Sequence, residues 1–193
     1  MDVIDQKIAL EKLNCGLPVI FQTDTLPAIG CLPKFSEIIY KIKNRDRNKP
    51  LILMGAENYQ FDQYVHKSAL DDFQHMASRY WPGPITMIIP TSKKSEPFIH
   101  SSDFTLGLRI PNSMMAKSLL KESGPLLTSS ANLSGLPTAT NAKDISINLP
   151  SVDILGPLPW RKCSGKASTI ISWVSKGKWK IIREGQVLIP GIS

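Results

Sequence analysis

The sequence is poor in the side chains that most often bind metals or form disulfides. It contains 3 cysteines and 3 histidines in 193 residues. The cysteines, Cys15, Cys31 and Cys163, lie far apart and form no CxxC or CxxH spacing, which argues against a zinc site. We expect them to be free, buried or half-buried thiols in a reducing compartment.

The sequence also lacks segments that would direct it into or across a membrane. No apolar run approaches the roughly 20 residues that a helix needs to span a bilayer. The first residues, MDVIDQKIALEKLNCG, carry acidic side chains and lack the basic-then-apolar order of a signal peptide. These absences favour a cytoplasmic protein with no membrane partner.

Several familiar catalytic and nucleotide-binding fingerprints are missing as well. The sequence has no GxxxxGK[ST], no GxGxxG and no HExxH motif. His66, His75 and His100 lie outside the polar clusters described below, so a Ser-His-Asp hydrolase is poorly supported. No set of residues predicts a metal site held by the protein.

Positive charge is abundant. Lysine and arginine number 23 against 16 aspartate and glutamate, which gives a formal net charge of +7. Residues 41–49, KIKNRDRNK, carry five basic residues against one acidic residue. This excess favours an anionic partner such as a nucleotide, a nucleic acid or phosphate, although any one of these lysines or arginines could simply lie on a solvated surface.

Apolar runs alternate with helical patterns early in the chain, and predicted strands cluster late. The predicted strands cover residues 17–22, 50–54, 85–90, 104–111, 125–129, 152–156, 167–174 and 178–185. The predicted helices cover residues 3–15, 36–44, 66–80, 112–124 (with Asn112 as N-cap) and 141–149. We expect an α/β fold with one domain over residues 1–193, built on a twisted sheet of mixed parallel and antiparallel strands with flanking helices.

Polar segments follow three of these apolar runs, at residues 23–25, 109–112 and 128–132. Ligands in open α/β sheets bind at the carboxyl ends of strands, so the three segments are expected to converge on one cleft. Arg109, between apolar neighbours, is costly unless it is paired. It is predicted either to form a structural ion pair with a buried acid or to grip a carboxylate or phosphate. Residues 128–134 are either ligand-binding or a hydroxyl-rich turn.

Seven short motifs follow one another along the chain. They are TDTLPAIGC (23–31), KNRDRNKPLIL (43–53), WPGPITMII (81–89), LGLRIPN (106–112), TSSANLSGLPTAT (128–140), ASTIIS (167–172) and IIREG (181–185). In type and order they resemble the YrdC/TsaC family, the L-threonylcarbamoyladenylate synthases of tRNA modification, in its short single-domain form. The sequence departs from the family pattern at Gln22, Asp46, Pro27 and Ala28. The last two stand in place of a tyrosine and a glycine, and Pro27 removes a backbone donor within the first motif.

The resemblance implies a twisted, mixed sheet around a concave basic cleft and a nucleotidyltransferase activity. The substrates would be L-threonine, bicarbonate and ATP, with Mg²⁺ bound through the phosphates. The products would be threonylcarbamoyl-AMP and pyrophosphate. tRNA and partner proteins that transfer the threonylcarbamoyl group to an adenosine of tRNA would be the partners. Preorganised cations and hydroxyls would stabilise the developing charge without a protein nucleophile.

The resemblance also implies roles for individual residues, by motif position. Threonine-binding residues would be Thr23, Arg109, Thr128, Ser168 and Thr169. ATP-binding residues would be Lys43, Arg45, Thr105, Ser130, Asn132, Thr138 and Arg183. The catalytic group would be Lys43, Arg45, Ser130 and Asn132.

Two other functions remain open at this point. The chain could be a non-catalytic RNA- or nucleotide-binding module of the same fold, or a carbamoyl-transfer domain detached from a larger maturation enzyme. Binding an RNA backbone needs cations. It does not need the hydroxyls of Thr23, Thr128 and Ser130 together, so these hydroxyls favour the synthase.

Overall fold

The computed structural model of the chain describes residues 1–93, 95 and 104–192, and these form ten strands and five α-helices. The strands are β1 (Val3–Ile4), β2 (Val19–Phe21), β3 (Ala28–Cys31), β4 (Ile52–Met54), β5 (Ile85–Pro90), β6 (Thr105–Arg109), β7 (Leu126–Ser130), β8 (Ile154–Leu155), β9 (Thr169–Ser175) and β10 (Lys178–Arg183). The helices are α1 (Gln6–Asn14), α2 (Glu37–Lys43), α3 (Leu70–Tyr80), α4 (Met114–Ser123) and α5 (Ala142–Asn148).

All ten described strands join one sheet, in the order β1-β8-β2-β3-β7-β4-β6-β5-β9-β10. The pairs β1/β8, β2/β8, β4/β6 and β5/β9 are parallel. The pairs β2/β3, β3/β7, β4/β7, β5/β6 and β9/β10 are antiparallel. The structure therefore confirms the α/β fold and the mixed sheet that the sequence predicts.

The two faces of the sheet are covered to different extents. Leu53, Leu108 and Leu127 are buried in the larger hydrophobic core, together with side chains of α2, α3 and α5. On the opposite face, a smaller core joins α1 and α4 to residues at one end of the sheet. Ile52 and its cross-strand partner Thr128 share that second face, where they line an open cavity. The incomplete helical layer thus positions the candidate site.

Several local predictions need correction. Residues 28–31, which none of the predicted strands and helices includes, form β3, whose four residues are all buried. The helix predicted from residue 3 begins only after Asp5, whose carboxylate accepts a hydrogen bond from the amide of Ile8. The N-cap of α4 is Ser113 and not Asn112, because the Ser113 hydroxyl accepts a hydrogen bond from the amide of Ala116.

Two further expectations concern the surface. Cys15 is exposed, which corrects the prediction of a buried or half-buried thiol, whereas Cys31 is buried and Cys163 is half-buried. Most of the connection between the strands predicted at 85–90 and 104–111 lies outside the described residues. Within the part of the chain that the structure describes, every helix is too short or too polar to cross a bilayer.

Candidate functional site

A cavity of about 230 Å³ opens on the uncovered part of the sheet, and we call it the site cavity. Many of the residues predicted for the site line it, namely Arg45, Arg109, Thr128, Ser130, Thr138, Ser168 and Arg183. The remaining predicted residues, Thr23, Lys43, Thr105, Asn132 and Thr169, are not among its described lining residues. The structure therefore brings the three polar segments together at the site cavity. Seven of the predicted side chains line it, and the other five lie outside its described lining.

The lining carries positive charge. Arg45, Arg109 and Arg183 all face the cavity, and its described lining includes no aspartate or glutamate. Burial lowers the pKa of each of these arginines from its ordinary value. Arginine nevertheless stays protonated in proteins, so three guanidinium charges border the cavity. Such a surface suits carboxylate and phosphate groups, which accept paired hydrogen bonds from the planar fork.

Arg109 at the end of β6 forms the structural ion pair that the sequence analysis left open. Its side chain is only 3% exposed, and Nη2 donates to Oδ1 of Asp24 at 2.6 Å. Nη1 donates to Oγ1 of Thr25 at 2.8 Å, and Nε donates to the carbonyl of Gly83 at 3.2 Å. Guanidinium has five N–H groups, so two remain for a ligand in the cavity.

Sequence reasoning did not name Asp24 or Thr25 as site residues. The requirement that a buried Arg109 find an acid was a usable signal, and Asp24 is the acid inside the first motif. The segment at 164–165 fixes both residues further, because the amides of Ser164 and Gly165 donate to the carbonyls of Asp24 and Thr25. The first motif is thus held from β6 and from this later segment at once.

The hydroxyl of Thr23 shapes the first loop and does not face the site cavity. It donates to the carbonyl of Leu26 at 2.7 Å and accepts from the amide of Thr25 at 3.2 Å. This is the turn role that such hydroxyls often have. Pro27 and Ala28, which depart from the family pattern, line the cavity, and the Pro27 carbonyl accepts a hydrogen bond from the amide of Ala131.

Lys43 lies behind the loop that follows β7. Its side chain is buried at the end of α2, and Nζ donates to the carbonyls of Ser130 and Asn132 and, at 3.4 Å, to Oδ1 of Asn132. Nδ2 of Asn132 donates to the carbonyls of Leu133 and Leu136. The two side chains therefore shape the loop, as the alternative of a hydroxyl-rich turn predicted, while Ser130 itself lines the cavity.

The other predicted residues differ in what they contact. The Thr128 hydroxyl donates to the carbonyl of Ile52 at 2.9 Å, and the Ser168 hydroxyl lies 2.9 Å from that of Thr86. Arg183 donates to the carbonyl of Ser168 at 2.9 Å. Thr105 begins β6, four residues before Arg109, so the two lie about 13 Å apart along the strand at ~3.3 Å per residue.

No group of three or more histidine, cysteine, aspartate or glutamate side chains within the described residues is arranged to hold a metal ion. The chemistry of the lining points instead to anion binding by guanidinium and hydroxyl groups.

We expect Asp24→Asn to lower the free energy of unfolding by about 3 kcal/mol, because it leaves the buried Arg109 charge without a counter-ion. Glu37→Gln provides a matched control, since Glu37 pairs with Arg47 at 2.5 Å on the surface, where the side chains are 41% and 65% exposed. The control should cost less than about 1 kcal/mol. Urea unfolding of both variants measures the difference, and equal losses would contradict the buried pair's importance.

Lys43 should make stability depend on pH in the alkaline range. Burial, together with the nearby Arg45 charge, lowers the pKa of Lys43 from 10.5 to about 8. Between these values the unfolded chain holds a proton that the folded chain has released, so the contribution of this group to stability rises with pH. Relative to Lys43→Met, the wild type should gain about 1 kcal/mol per pH unit in that range. Parallel pH profiles of the two proteins would show that Lys43 keeps an ordinary pKa.

Comparison with known proteins identifies a family and several similar proteins. The sequence profile of the Sua5/YciO/YrdC family, described as telomere recombination, matches residues 11–185. The threonylcarbamoyl-AMP synthase of Yersinia enterocolitica is 31% identical over 147 residues, which cover 74% of this chain and 77% of that protein. The threonylcarbamoyl-AMP synthase of Photobacterium profundum is 27% identical over 154 residues, covering 77% and 82%.

Solved structures resemble this fold closely. P. abyssi Sua5 complexed with L-threonine superposes with a TM-score of 0.83 at 26% identity, covering 93% of this chain. The chain spans only 54% of that Sua5 chain. E. coli YciO superposes with a TM-score of 0.77 at 25% identity, covering 95% of this chain and 92% of that one. The profile match over most of the sequence shows that the chain belongs to the Sua5/YciO/YrdC family.

Proposed function

We propose that this chain is a threonylcarbamoyl-AMP synthase. It would convert L-threonine, bicarbonate and ATP into threonylcarbamoyl-AMP, pyrophosphate and water. The observation that carries the proposal is the site cavity, where three guanidinium groups and several hydroxyls meet with no acid in the described lining. All three substrates carry anionic groups that such a lining attracts. The relatives named threonylcarbamoyl-AMP synthase support the same activity.

The threonine would lie against β6 and the first motif. The two N–H groups that Arg109 retains would bind its carboxylate, and the hydroxyls of Thr128 and Ser168, which line the same cavity, would be further hydrogen-bond partners. Ile52 and Met54 supply apolar surface in the same cavity for the threonine methyl group. P. abyssi Sua5, which binds L-threonine, supports placing the amino acid in this fold.

The nucleotide would lie towards Arg45, Ser130, Thr138 and Arg183. Arg45 is held by hydrogen bonds from Nε to the carbonyl of Lys49 and from Nη2 to that of Pro50, both at 3.0 Å. Preorganised cations of this kind stabilise charge as it develops and need no reorganisation at the moment of reaction. Mg²⁺ would enter with ATP, on its phosphates. Thr105 lies beyond this region and would meet the nucleotide only at its far end.

The reaction would proceed by positioning and charge stabilisation. The threonine amine attacks the carbon of bicarbonate, and water leaves as the carbamate forms; with carbon dioxide only a proton is released. A carbamate oxygen then attacks the α-phosphorus of ATP, and pyrophosphate leaves, so the step is a nucleotidyl transfer. Lys43 and Asn132 would act through the loop they hold, since that loop presents Ser130 to the cavity.

The product carries an activated threonylcarbamoyl group, and we propose that tRNA-modification partners transfer it to tRNA in the cytoplasm. A non-catalytic RNA-binding module is the competing function. It would bind RNA with an affinity that falls steeply and linearly in log salt, and it would release no pyrophosphate.

Pyrophosphate release should require all three substrates. The carbamate forms only after the threonine amine has met bicarbonate or carbon dioxide, so omitting either one should abolish release. Serine should replace threonine about 10- to 200-fold less efficiently, because one methyl group in an apolar niche is worth ~1–3 kcal/mol. Release that persists without bicarbonate would indicate plain amino-acid adenylation or ATP hydrolysis. No release under any condition would favour the binding module.

Arg45→Ala should reduce synthesis about 30- to 1,000-fold, since a lost charge-assisted contact in the transition state costs ~2–4 kcal/mol. Arg47→Ala is the matched control, because Arg47 lies two residues away, pairs with Glu37 and is not in the described lining. The control should stay within about threefold of the wild-type rate. Initial rates at varied ATP measure both, and equal losses would remove Arg45 from the nucleotide site.

A further inference from the structure

Residues 184–189, which we call the C-terminal clasp, fold back across the start of β9. The amide of Gln186 donates to the carbonyl of Ala167 at 2.9 Å, and Ile189 is buried in the larger core. Ala167 and the adjacent Ser168 line the site cavity. The clasp therefore supports one wall of the cavity from behind.

The hydroxyl of Thr169 fastens this clasp. It donates to the carbonyl of Val187 at 2.5 Å and accepts from the amides of Gly185, at 3.1 Å, and Val187, at 3.3 Å. A hydroxyl has one donor and two acceptor positions, so these three bonds use its whole capacity. Thr169 is 1% exposed and is not in the described lining. Its hydroxyl has no means of contacting a ligand in this arrangement.

Contact between the clasp and β9 is too close for any side chain at Gly185. A Cβ there would lie 2.4 Å from the Ala167 carbonyl oxygen, the Ser168 carbonyl carbon and the Thr169 nitrogen. All three are backbone atoms, which cannot turn aside as a flexible side chain can. The backbone at 185 is thus pressed directly against the residues that line the cavity.

Arg183 lies two residues before this contact. Strand β10 ends the sheet and pairs with β9 alone, and its register shifts between Ile181 and Arg183. A register shift changes the direction of the side chains beside it. Pairing with β9 therefore does not by itself fix the direction of the Arg183 side chain. Further restraints are the bonds from Nη2 to the Ser168 carbonyl at 2.9 Å and to Oγ of Ser168 at 3.5 Å, and the clasp that follows.

We propose that Thr169 is a positioning residue that, through the C-terminal clasp, holds the Arg183 guanidinium at the site cavity. The inference rests on the proposed function for the identity of the anion, a nucleotide phosphate. The resemblance implied that Thr169 contacts the substrate threonine. In this proposal Thr169 instead acts indirectly, on the nucleotide side of the cavity.

The test compares Thr169→Val, which keeps shape and removes the hydroxyl, with Thr169→Ser, which keeps the hydroxyl. Thr169→Val should raise the KM for ATP about 10- to 100-fold, as expected when a charged hydrogen-bond donor loses its position. The KM for threonine should change less. Thr169→Ser should restore the KM for ATP to within about threefold. Equal rises in both KM values would overturn the proposal.

A double-mutant cycle separates positioning from general damage. In an Arg183→Ala background, Thr169→Val should add no further rise in the KM for ATP, because the group it positions is absent. Gly185→Ala disturbs the clasp from its other side and should behave like Thr169→Val in both backgrounds. Effects that add in full would show that Thr169 acts independently of Arg183.

Amide hydrogen exchange reports the clasp without relying on turnover. The Gly185 and Val187 amides should exchange faster in Thr169→Val than in the wild type, while α3 amides keep their protection. Unchanged exchange would overturn the clasp.

If the wild type releases no pyrophosphate, the proposed function fails instead. The same cycle, read by calorimetric titration with ATP, then decides the role of Thr169: no binding by the wild type, or fully additive losses, would overturn it.

Discussion

The ion pair between Asp24 and Arg109 joins parts of the chain that are far apart in sequence. Arg109 ends β6, Asp24 lies in the first motif, and the amide of Ser164 donates to the Asp24 carbonyl from a third segment. Removing either charge would leave the other buried and uncompensated, which is why such pairs are expensive to break. The ion pair and this backbone bond together connect three separate chain segments, and Thr25 and Arg109 line the site cavity where they meet.

Several predicted site side chains outside the cavity lining already form hydrogen bonds within the protein. The side chains of Thr23, Asn132 and Thr169 donate hydrogen bonds to backbone carbonyls of nearby loops. The Lys43 ammonium likewise donates to backbone carbonyls. Buried polar groups must be satisfied in this way or they would destabilise the fold. The arginines facing the cavity then need little reorganisation when an anion binds, which is the condition for electrostatic preorganisation.

The sequence was sufficient to predict the mixed sheet, most helices and the convergence of polar segments, because apolar periodicity and turn residues act locally. Strand β3 escaped prediction since AIGC is short and contains glycine, and long-range pairing with β7 is what makes it a strand. The positions of Asp24 and Thr169 relative to the cavity also depend on pairing across the sheet. Spacing along the chain does not reveal whether a hydroxyl points into a cavity or into its own loop.

Three like charges lie together at the site cavity, and burial makes this grouping unfavourable. Arg45, Arg109 and Arg183 border one cavity, and only Arg109 has an acid within ion-pair distance in the part of the chain that is described. Burial opposes this grouping, since it lowers the pKa of all three side chains, and the nearby Arg183 charge lowers that of Arg109 further. An anionic ligand would supply an opposite charge to Arg45 and Arg183, which would offset part of the cost of burying them. The three charges that burial disfavours are therefore the same groups that would hold an anionic substrate.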